Sequence, residues 1–310
     1  MNTEGARLSR RAVLGAAMGG LALAALGPRM PLAGVLPSGK IRALVFDGDA
    51  LVVASDDLWR SLDEGATWTD ISPPGDEITA LVAHPDRHGW IFAGLASGGI
   101  LGSRDGGADW VEIGSGLPGA PVRALAVGAQ APDTLYAAVE GDGLWVSRDA
   151  GQSWEFAMDR PYEDGTERDL LTLVSVNAET GMGGIWIYAG TERGLTRLPD
   201  CFCRWQDVQP GNAMDALAAG ESPPVMKRLP KFEPVRSLAA APQEPMLLYA
   251  GLPSGIWKSA DAGVTWEEVN PADTHRLAVD PGNPLHVLAA TAGGLLVSRD
   301  GGFTWSAPGA

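Results

Sequence analysis

The sequence predicts an all-β protein, a six-bladed β-propeller of four-stranded antiparallel blades. The first observation is composition, because 41 Gly and 23 Pro among 310 residues indicate many turns, while 45% hydrophobic residues suffice for a core. The second is an eight-residue motif, Ser-x-Asp-x-Gly-x-[Thr/Ser/Asp]-Trp, that recurs along the chain. The third is its spacing, since the closing tryptophans lie 42, 44, 51, 61 and 39 residues apart, which is one propeller blade each.

Five copies of the motif are clean and a sixth is degenerate. The clean copies are Ser61–Trp68, Ser103–Trp110, Ser147–Trp154, Ser259–Trp266 and Ser298–Trp305. In the fourth copy in chain order, which ends at Trp205, Leu198 replaces the Ser and Cys201-Phe202-Cys203 replaces the glycine turn. The aspartates of the six copies are Asp63, Asp105, Asp149, Asp200, Asp261 and Asp300. We expect each carboxylate to accept backbone hydrogen bonds within its own turn, which is a structural role.

These segments resemble the Asp-box, or BNR, repeat of sialidase-like propellers, and the resemblance covers residues 41–310. It implies a single propeller domain over 35–310. A calcium loop is the alternative for Asp-x-x-Gly, but further oxygen ligands do not recur at the spacing that such a loop needs. We therefore predict no metal ion and no cofactor.

The first 34 residues have the pattern of an export signal. Arg10 and Arg11 precede an apolar run over residues 12–26, which is shorter than a membrane-spanning helix requires. The stretch resembles the twin-arginine motif, which implies a bacterial or archaeal protein exported to the periplasm or beyond. The protein would be membrane-associated only if the signal stayed uncleaved, and the mature chain has no spanning segment. A buried N-terminal helix with a chance arginine pair is the alternative.

Charge and cysteine content exclude several functions. A net charge of −15 argues against a nucleic-acid partner, which would need clustered Lys and Arg. Two cysteines, Cys201 and Cys203, are too few for a disulfide scaffold or a four-cysteine zinc site. A local disulfide or two inert thiols is the favoured interpretation of this pair, and a copper or redox role is the alternative.

Alternating apolar residues divide each repeat into strands A to D. The third repeat gives A at 122–127, B at 134–139, C at 143–148 and D from Trp154. In such a blade the D-to-A and B-to-C connections share one face, where we expect function, because loops on a rigid scaffold carry binding residues. Two D-to-A connections are long insertions, at about 158–169 and 209–234, and such loops are either functional or disordered.

The start of strand A brings basic residues to this face. Its second position reads Arg42, Thr79, Arg123, Leu171, Arg236 and His275, with Arg276 next to the last. Arginines that ring one opening would bind carboxylates or phosphates, so Arg42, Arg123, Arg236, His275 and Arg276 are the predicted binding residues. The alternative is that each arginine forms a salt bridge to a neighbouring blade, for example to Glu140, Asp142 or Glu192.

Two resemblances imply different functions. Sialidases combine an arginine triad with a Tyr-Glu pair and an Asp, for which Tyr162, Glu163 and Asp164 are weak catalytic candidates here; their usual Phe/Tyr-Arg-Ile-Pro motif is missing. The photosystem II assembly-factor propellers, which the chain also resembles, engage a partner protein through an arginine patch. We therefore predict a monomeric, non-enzymatic binding or assembly module for an extracytoplasmic protein or glycan, with an exo-sialidase or other glycoside hydrolase as the alternative.

Overall fold

The computed structural model describes residues 39–73, 75–180, 184–210, 218–222 and 226–308, together with the backbone of 32–33. The predicted export signal lies outside these residues except for Leu32 and Ala33, and so does part of the second insertion. Within the described residues the strands form six antiparallel sheets, or blades, and one small hairpin. No described helix has the length and apolar character needed to cross a membrane.

The first three blades have at least four strands each. Blade 1 contains β1 (Leu32–Ala33), β2 (Ala43–Asp47), β3 (Ala50–Ala54), β4 (Leu58–Ser61) and β5 (Thr67–Asp70), with β1 paired outside β5. Blade 2 contains β6 (Ile78–Ala83), β7 (Ile91–Leu95), β8 (Ile100–Ser103) and β9 (Val111–Glu112). Blade 3 contains β10 (Val122–Val127), β11 (Leu135–Val139), β12 (Gly143–Ser147) and β13 (Glu155–Met158), followed by the hairpin β14 (Tyr162–Glu163) and β15 (Thr166–Glu167).

The last three blades complete the ring. Blade 4 contains β16 (Thr172–Val176), β17 (Trp186–Gly190) and β18 (Leu195–Pro199). Blade 5 contains β19 (Ser237–Ala240), β20 (Leu248–Leu252), β21 (Gly255–Ser259) and β22 (Glu267–Asn270). Blade 6 contains β23 (Thr274–Asp280), β24 (Asn283–Thr291) and β25 (Gly294–Ser298). The inner strands contact one another in the order β2, β6, β10, β16, β19, β23 and back to β2.

The prediction of six blades is confirmed, but four strands in every blade is wrong for blades 4 and 6. In each of these a single antiparallel bridge stands where the fourth strand would run, between Arg197 and Gln206 and between Val297 and Ser306. A proline follows each bridge closely, Pro210 in blade 4 and Pro308 in blade 6. Proline has no N–H to donate to a ladder and so ends each segment, but Pro271 follows the complete fourth strand of blade 5 directly, so proline alone does not account for the missing pairs.

The core lies between the blades. Each second strand of a blade is apolar and buried on both sides, as in β3, β11 and β20, because it packs against a neighbouring blade on either face. Blade 6 closes onto blade 1 through one such cluster, in which Trp68 is 1% exposed and packs with Leu288 and Val297. The burial of apolar side chains between neighbouring blades supplies most of the free energy that holds the ring closed.

The repeated turns are held by their own side chains. In the third copy Gly151 N donates to Ser147 Oγ at 2.8 Å, and Ser153 N donates to Asp149 Oδ1 at 2.9 Å. Hydrogen bonds from Ser153, its hydroxyl first, lower the pKa of Asp149 to about 2. The same backbone contacts recur around Asp63, Asp105, Asp261 and Asp300.

The fourth copy is built differently. None of these Ser and Asp hydrogen bonds forms at Asp200 in the described chain, and a disulfide joins Cys201 to Cys203 instead. Phe202 N donates to Pro199 O at 2.9 Å, and the Phe202 ring packs edge-on against Tyr136 with the centroids 6.3 Å apart. The turn therefore keeps its place through the disulfide and packing.

Candidate functional site: the mouth of the central channel

The inner strands surround a central channel of about 220 Å³. Its walls are mostly apolar, from residues such as Val45, Leu81, Leu125 and Val174. Arg123, Arg236 and Arg276 line one end, which we call the mouth. The D-to-A and B-to-C connections meet at the mouth, so the predicted assignment of faces holds here.

Local backbone geometry brings the second residue of strand A to the mouth. In blades 2, 3 and 6 the pairing register shifts across this position, so that Thr79, Arg123 and His275 are extra residues in a β-bulge. A bulge redirects the side chain of its extra residue and bends the strand. Arg42 and Arg236 reach the same level just before β2 and β19, with their N–H groups bonded to strand B at 2.8 and 2.9 Å.

Arg42 forms salt bridges with two carboxylates. Its Nε lies 2.7 Å from Glu77 of the connection into blade 2, and its Nη1 lies 3.5 Å from Asp56 and also donates to Ser55 O. Glu77 belongs to the next blade, so this arginine joins blades 1 and 2. The salt-bridge interpretation therefore describes Arg42.

Arg123 and Arg236 are also paired, but both remain at the opening. Arg123 Nη2 lies 2.6 Å from Glu140 of its own blade, and the arginine side chain is 45% exposed. Arg236 Nη1 lies 2.6 Å from Asp273 of the connection into blade 6, so the salt-bridge interpretation describes Arg236 as well. The sequence suggested Glu140, Asp142 and Glu192 as salt-bridge partners, and of these only Glu140 pairs with an arginine of the mouth in the described structure. Asp142 instead accepts a hydrogen bond from Trp145 Nε1 at 2.5 Å.

His275 lies against Arg236. Arg236 Nη1 is 3.2 Å from His275 Nδ1, and since an arginine can only donate, this ring nitrogen is the acceptor of a neutral imidazole. Burial lowers the pKa of His275, with Arg236 adding to the effect and Asp273 opposing it. The histidine is therefore a neutral hydrogen-bonding group at neutral pH.

Arg276 differs from the other arginines at the mouth. It donates to three carbonyl oxygens, those of Arg42, of Arg236 at 3.3 Å and of His275 at 2.8 Å, and it has no carboxylate partner in the described chain. Burial, then the charges of Arg236 and Arg123, lower the pKa of Arg276 to about 10. A desolvated charge without a counter-ion is costly, and an anion beside this guanidinium would offset that cost.

The sequence contained a signal for this residue. Arg276 occupies the third position of strand A, where the other five blades have small residues: Ala43, Ala80, Ala124, Thr172 and Ser237. At this position Thr172 Oγ1 and Ser237 Oγ accept the N–H of the next blade, at 3.0 and 2.9 Å. An arginine where the repeat otherwise has a small residue marks a departure from the structural pattern. Glu77 and Asp273 carried no comparable signal.

The weak catalytic candidates lie elsewhere. Tyr162, Glu163 and Asp164 belong to the hairpin β14–β15, and Tyr162 is 71% exposed. Glu163 and Asp164 line a second cavity that shares no lining residue with the channel. The structure therefore does not bring these residues together with the arginines of the mouth. No three metal-ligating side chains converge anywhere in the described residues.

Comparisons with known proteins support the fold. No protein-family model and no curated protein matches the sequence. A GH74 xyloglucanase from Xanthomonas campestris is 19% identical with a TM-score of 0.55, over 86% of this chain and 46% of that enzyme. A GH74 enzyme from Niastella koreensis is 13% identical with a TM-score of 0.53, over 84% of this chain and 45% of the enzyme.

A third similar structure is YCF48 bound to a D1 peptide. It is 15% identical with a TM-score of 0.50, over 87% of this chain and 82% of YCF48. The chain thus spans under half the length of these GH74 enzymes and most of YCF48. Identities this low show a shared propeller fold and leave function to the site.

Proposed function

We propose that the protein is a non-enzymatic binding module that recognises an anionic group of a partner protein at the mouth of its channel. One observation carries this proposal: Arg276 is desolvated and has no carboxylate partner in the described chain, while Arg123 and Arg236 stand close enough to lower its pKa. A bound carboxylate would offset this repulsion and accept charge-assisted hydrogen bonds.

The size of the channel and its charge support a protein segment as the occupant. The whole channel holds only about 220 Å³ between apolar walls, so an acidic side chain can enter the mouth while the rest of the partner stays outside. The protein as a whole carries a net charge of −15, and Arg276 is the one arginine of the mouth that no carboxylate of the described chain neutralises. Complementary charge of this kind selects and orients a partner.

A double variant tests the proposal. Arg123→Ala with Arg236→Ala removes two donors, and loss of two charged hydrogen bonds corresponds to about a hundredfold weaker binding of an acidic peptide or co-purifying partner. Arg148→Ala with Arg299→Ala is the matched control, since both arginines also pair with carboxylates, Arg148 with Glu155 and Arg299 with Glu64. Unchanged binding in the mouth variant, with a lowered melting temperature, would show that the arginines only join blades.

Export is part of the proposal and rests on the N-terminal sequence alone. Arg10→Lys with Arg11→Lys should keep a reporter fusion in the cytoplasm, because the twin-arginine signal depends on both residues. Normal export of that variant would refute the twin-arginine interpretation without affecting the mouth.

A glycoside hydrolase is the second candidate, favoured by Glu163. Burial raises the pKa of this carboxyl, as a general acid requires, and Thr191 Oγ1 donates to it at 3.4 Å. Fluorogenic sialosides and aryl glycosides provide the assay. Turnover that disappears in Glu163→Gln or Tyr162→Phe would establish the enzyme and overturn the binding module.

A further inference from the structure

A second cavity lies where the two long insertions meet blades 4 and 5. We call it the insertion pocket. Its volume is about 340 Å³, within the range of small-molecule sites, and it is lined by the hairpin turn of the first insertion, the β17–β18 turn and residues 228–232 of the second insertion. The pocket is therefore a product of the segments that interrupt the repeat.

The floor of the pocket is rigid and apolar. Leu195, Val208, Leu229 and Trp266 form it, and all four belong to the hydrophobic cluster between blades 4 and 5. Trp266 is 2% exposed and donates its Nε1–H to Gly263 O at 2.8 Å, so its ring is fixed. An apolar side chain placed here would contact chiefly Leu195, the part-exposed member of the floor, and the small accessible parts of Val208 and Leu229, each 8% exposed.

Two ion pairs hold the rim. Arg193 Nη2 lies 3.0 Å from Asp164 and its guanidinium lies 4.6 Å over the Phe232 ring, so it connects the hairpin, blade 4 and the second insertion. Arg228 Nη1 lies 3.4 Å from Asp207. These four charges neutralise each other in pairs.

One charge of each sign is left over. Among the lining residues, Glu163 accepts from Thr191 Oγ1 at 3.4 Å and has no ion pair in the described chain, although the charge of Arg168, outside the lining, acts on it from beyond ion-pair distance. Lys231 likewise has no ion-pair partner among the described residues. A ligand with a single charge would leave one of the two uncompensated, and a neutral sugar would leave both. A ligand with an ammonium group and a carboxylate would satisfy both at once.

We propose that the insertion pocket binds a small zwitterion, an α-amino acid or dipeptide with an apolar side chain. Glu163 accepts from its ammonium group, Lys231 contacts its carboxylate, and the side chain lies against Leu195 on the apolar floor. The partially desolvated Glu163 carboxyl, whose pKa is raised by burial, gains a counter-ion on binding. The site is independent of the channel mouth.

Four compounds with the same side chain test the proposal by isothermal titration calorimetry on the full chain. Leucine carries both charges, N-acetylleucine only the carboxylate, leucine methyl ester only the ammonium group, and N-acetylleucinamide neither. We expect leucine to bind about tenfold or more tightly than either singly charged compound, since each charged contact is worth at least that factor. N-acetylleucinamide should bind weakest.

Two variants assign the contacts. Glu163→Gln should bind leucine and N-acetylleucine equally, and Lys231→Gln should bind leucine and its methyl ester equally. Glu267→Gln and Lys227→Gln remove exposed charges outside the pocket and serve as matched controls. If a variant misfolds, the affinities of the four compounds for the unaltered protein still test whether both charges of the ligand are recognised. Equal affinity for leucine and N-acetylleucinamide, or binding of a neutral sugar but no leucine, would overturn the proposal. Arg276→Met alters the mouth alone, so leucine binding should be unchanged in that variant if the two sites are independent.

Discussion

Arg276→Met separates a binding role of the mouth from a structural one. The lowering of the Arg276 pKa from 12.5 to about 10 corresponds to about 3 kcal/mol of unfavourable free energy for the charged residue in the folded protein. The unfolded chain keeps the ordinary pKa, so this cost is fully present below pH 10 and decreases as the pH rises towards 12.5. Methionine removes the cost while keeping an unbranched side chain.

The substitution also removes the three hydrogen bonds that Arg276 makes to carbonyl oxygens. At about 1.5 kcal/mol each, the lower end for a charged donor, their loss slightly exceeds the relief of the buried charge. The free energy of unfolding of Arg276→Met should therefore differ from that of the unaltered protein by no more than about 1 to 2 kcal/mol. For a domain of this size that is a change in melting temperature of only a few degrees.

Binding should change far more than stability. A hexaglutamate peptide at about 100 times its dissociation constant would stabilise the unaltered protein by about 2.7 kcal/mol, or roughly 5 °C. Loss of one charged hydrogen bond weakens binding about 10- to 100-fold, so at the same peptide concentration about half to nine-tenths of this increment should vanish in Arg276→Met. Thermal melts at fixed ionic strength, with hexalysine as the peptide control and Arg148→Met as the protein control, provide the measurement. A full increment in the variant, or a variant melting many degrees lower without peptide, would refute the reasoning.

Three further predictions concern the scaffold. A Cβ at Gly107, where φ is +93°, would lie 2.6 Å from Ile71 Cδ1, whereas a Cβ at Gly99, where φ is +88°, would have no neighbouring atom within 4 Å. The melting temperature of Gly107→Ala should therefore be several degrees below that of Gly99→Ala. Equal melting temperatures would contradict this packing argument. Replacing Cys201 and Cys203 by Ser should cost less than about 2 kcal/mol in denaturant unfolding, because the bridge closes a very short loop. Burial lowers the pKa of His84, so the unfolded chain takes up a proton more readily than the folded protein, and the free energy of unfolding should fall as the pH drops below 6.5. If the difference in unfolding free energy between the unaltered protein and His84→Gln does not change with pH, the prediction is wrong.

Features set by local sequence were predictable. The strand limits expected for blade 3 agree with β10 at Val122–Val127 and β12 at Gly143–Ser147 to within a residue. Two-residue alternation and turn residues determine these limits locally, and the repeat extends them around the ring. The shared face of the D-to-A and B-to-C connections follows from strand order alone.

Features that depend on contacts between distant segments were not predictable. The sequence shows that Arg42, Arg123 and Arg236 share one position, but the pairing of Arg236 with Asp273 depends on how blades 5 and 6 pack. The insertion pocket likewise needs Glu163 and Leu229, 66 positions apart, on one cavity. Insertions do not follow the repeat, so periodicity says nothing about where they meet.

The repeat itself explains why a basic mouth forms on an acidic protein. Six blades deliver six equivalent positions to one small opening, so a basic residue at that position in several blades concentrates positive charge there. Three of the resulting charges are neutralised by the rim carboxylates Glu77, Glu140 and Asp273. The fourth charge belongs to Arg276, which lies between blades 6 and 1 at a strand position where every other blade has a small residue. No carboxylate of the described chain pairs with it. In a purely structural mouth, the three carbonyl hydrogen bonds that join Arg276 to blades 1, 5 and 6 would have to offset its buried charge by themselves. In the role that we propose, an anion supplied from outside the chain balances the rest of that charge, and only this second role makes the effect of Arg276→Met on peptide binding larger than its effect on stability.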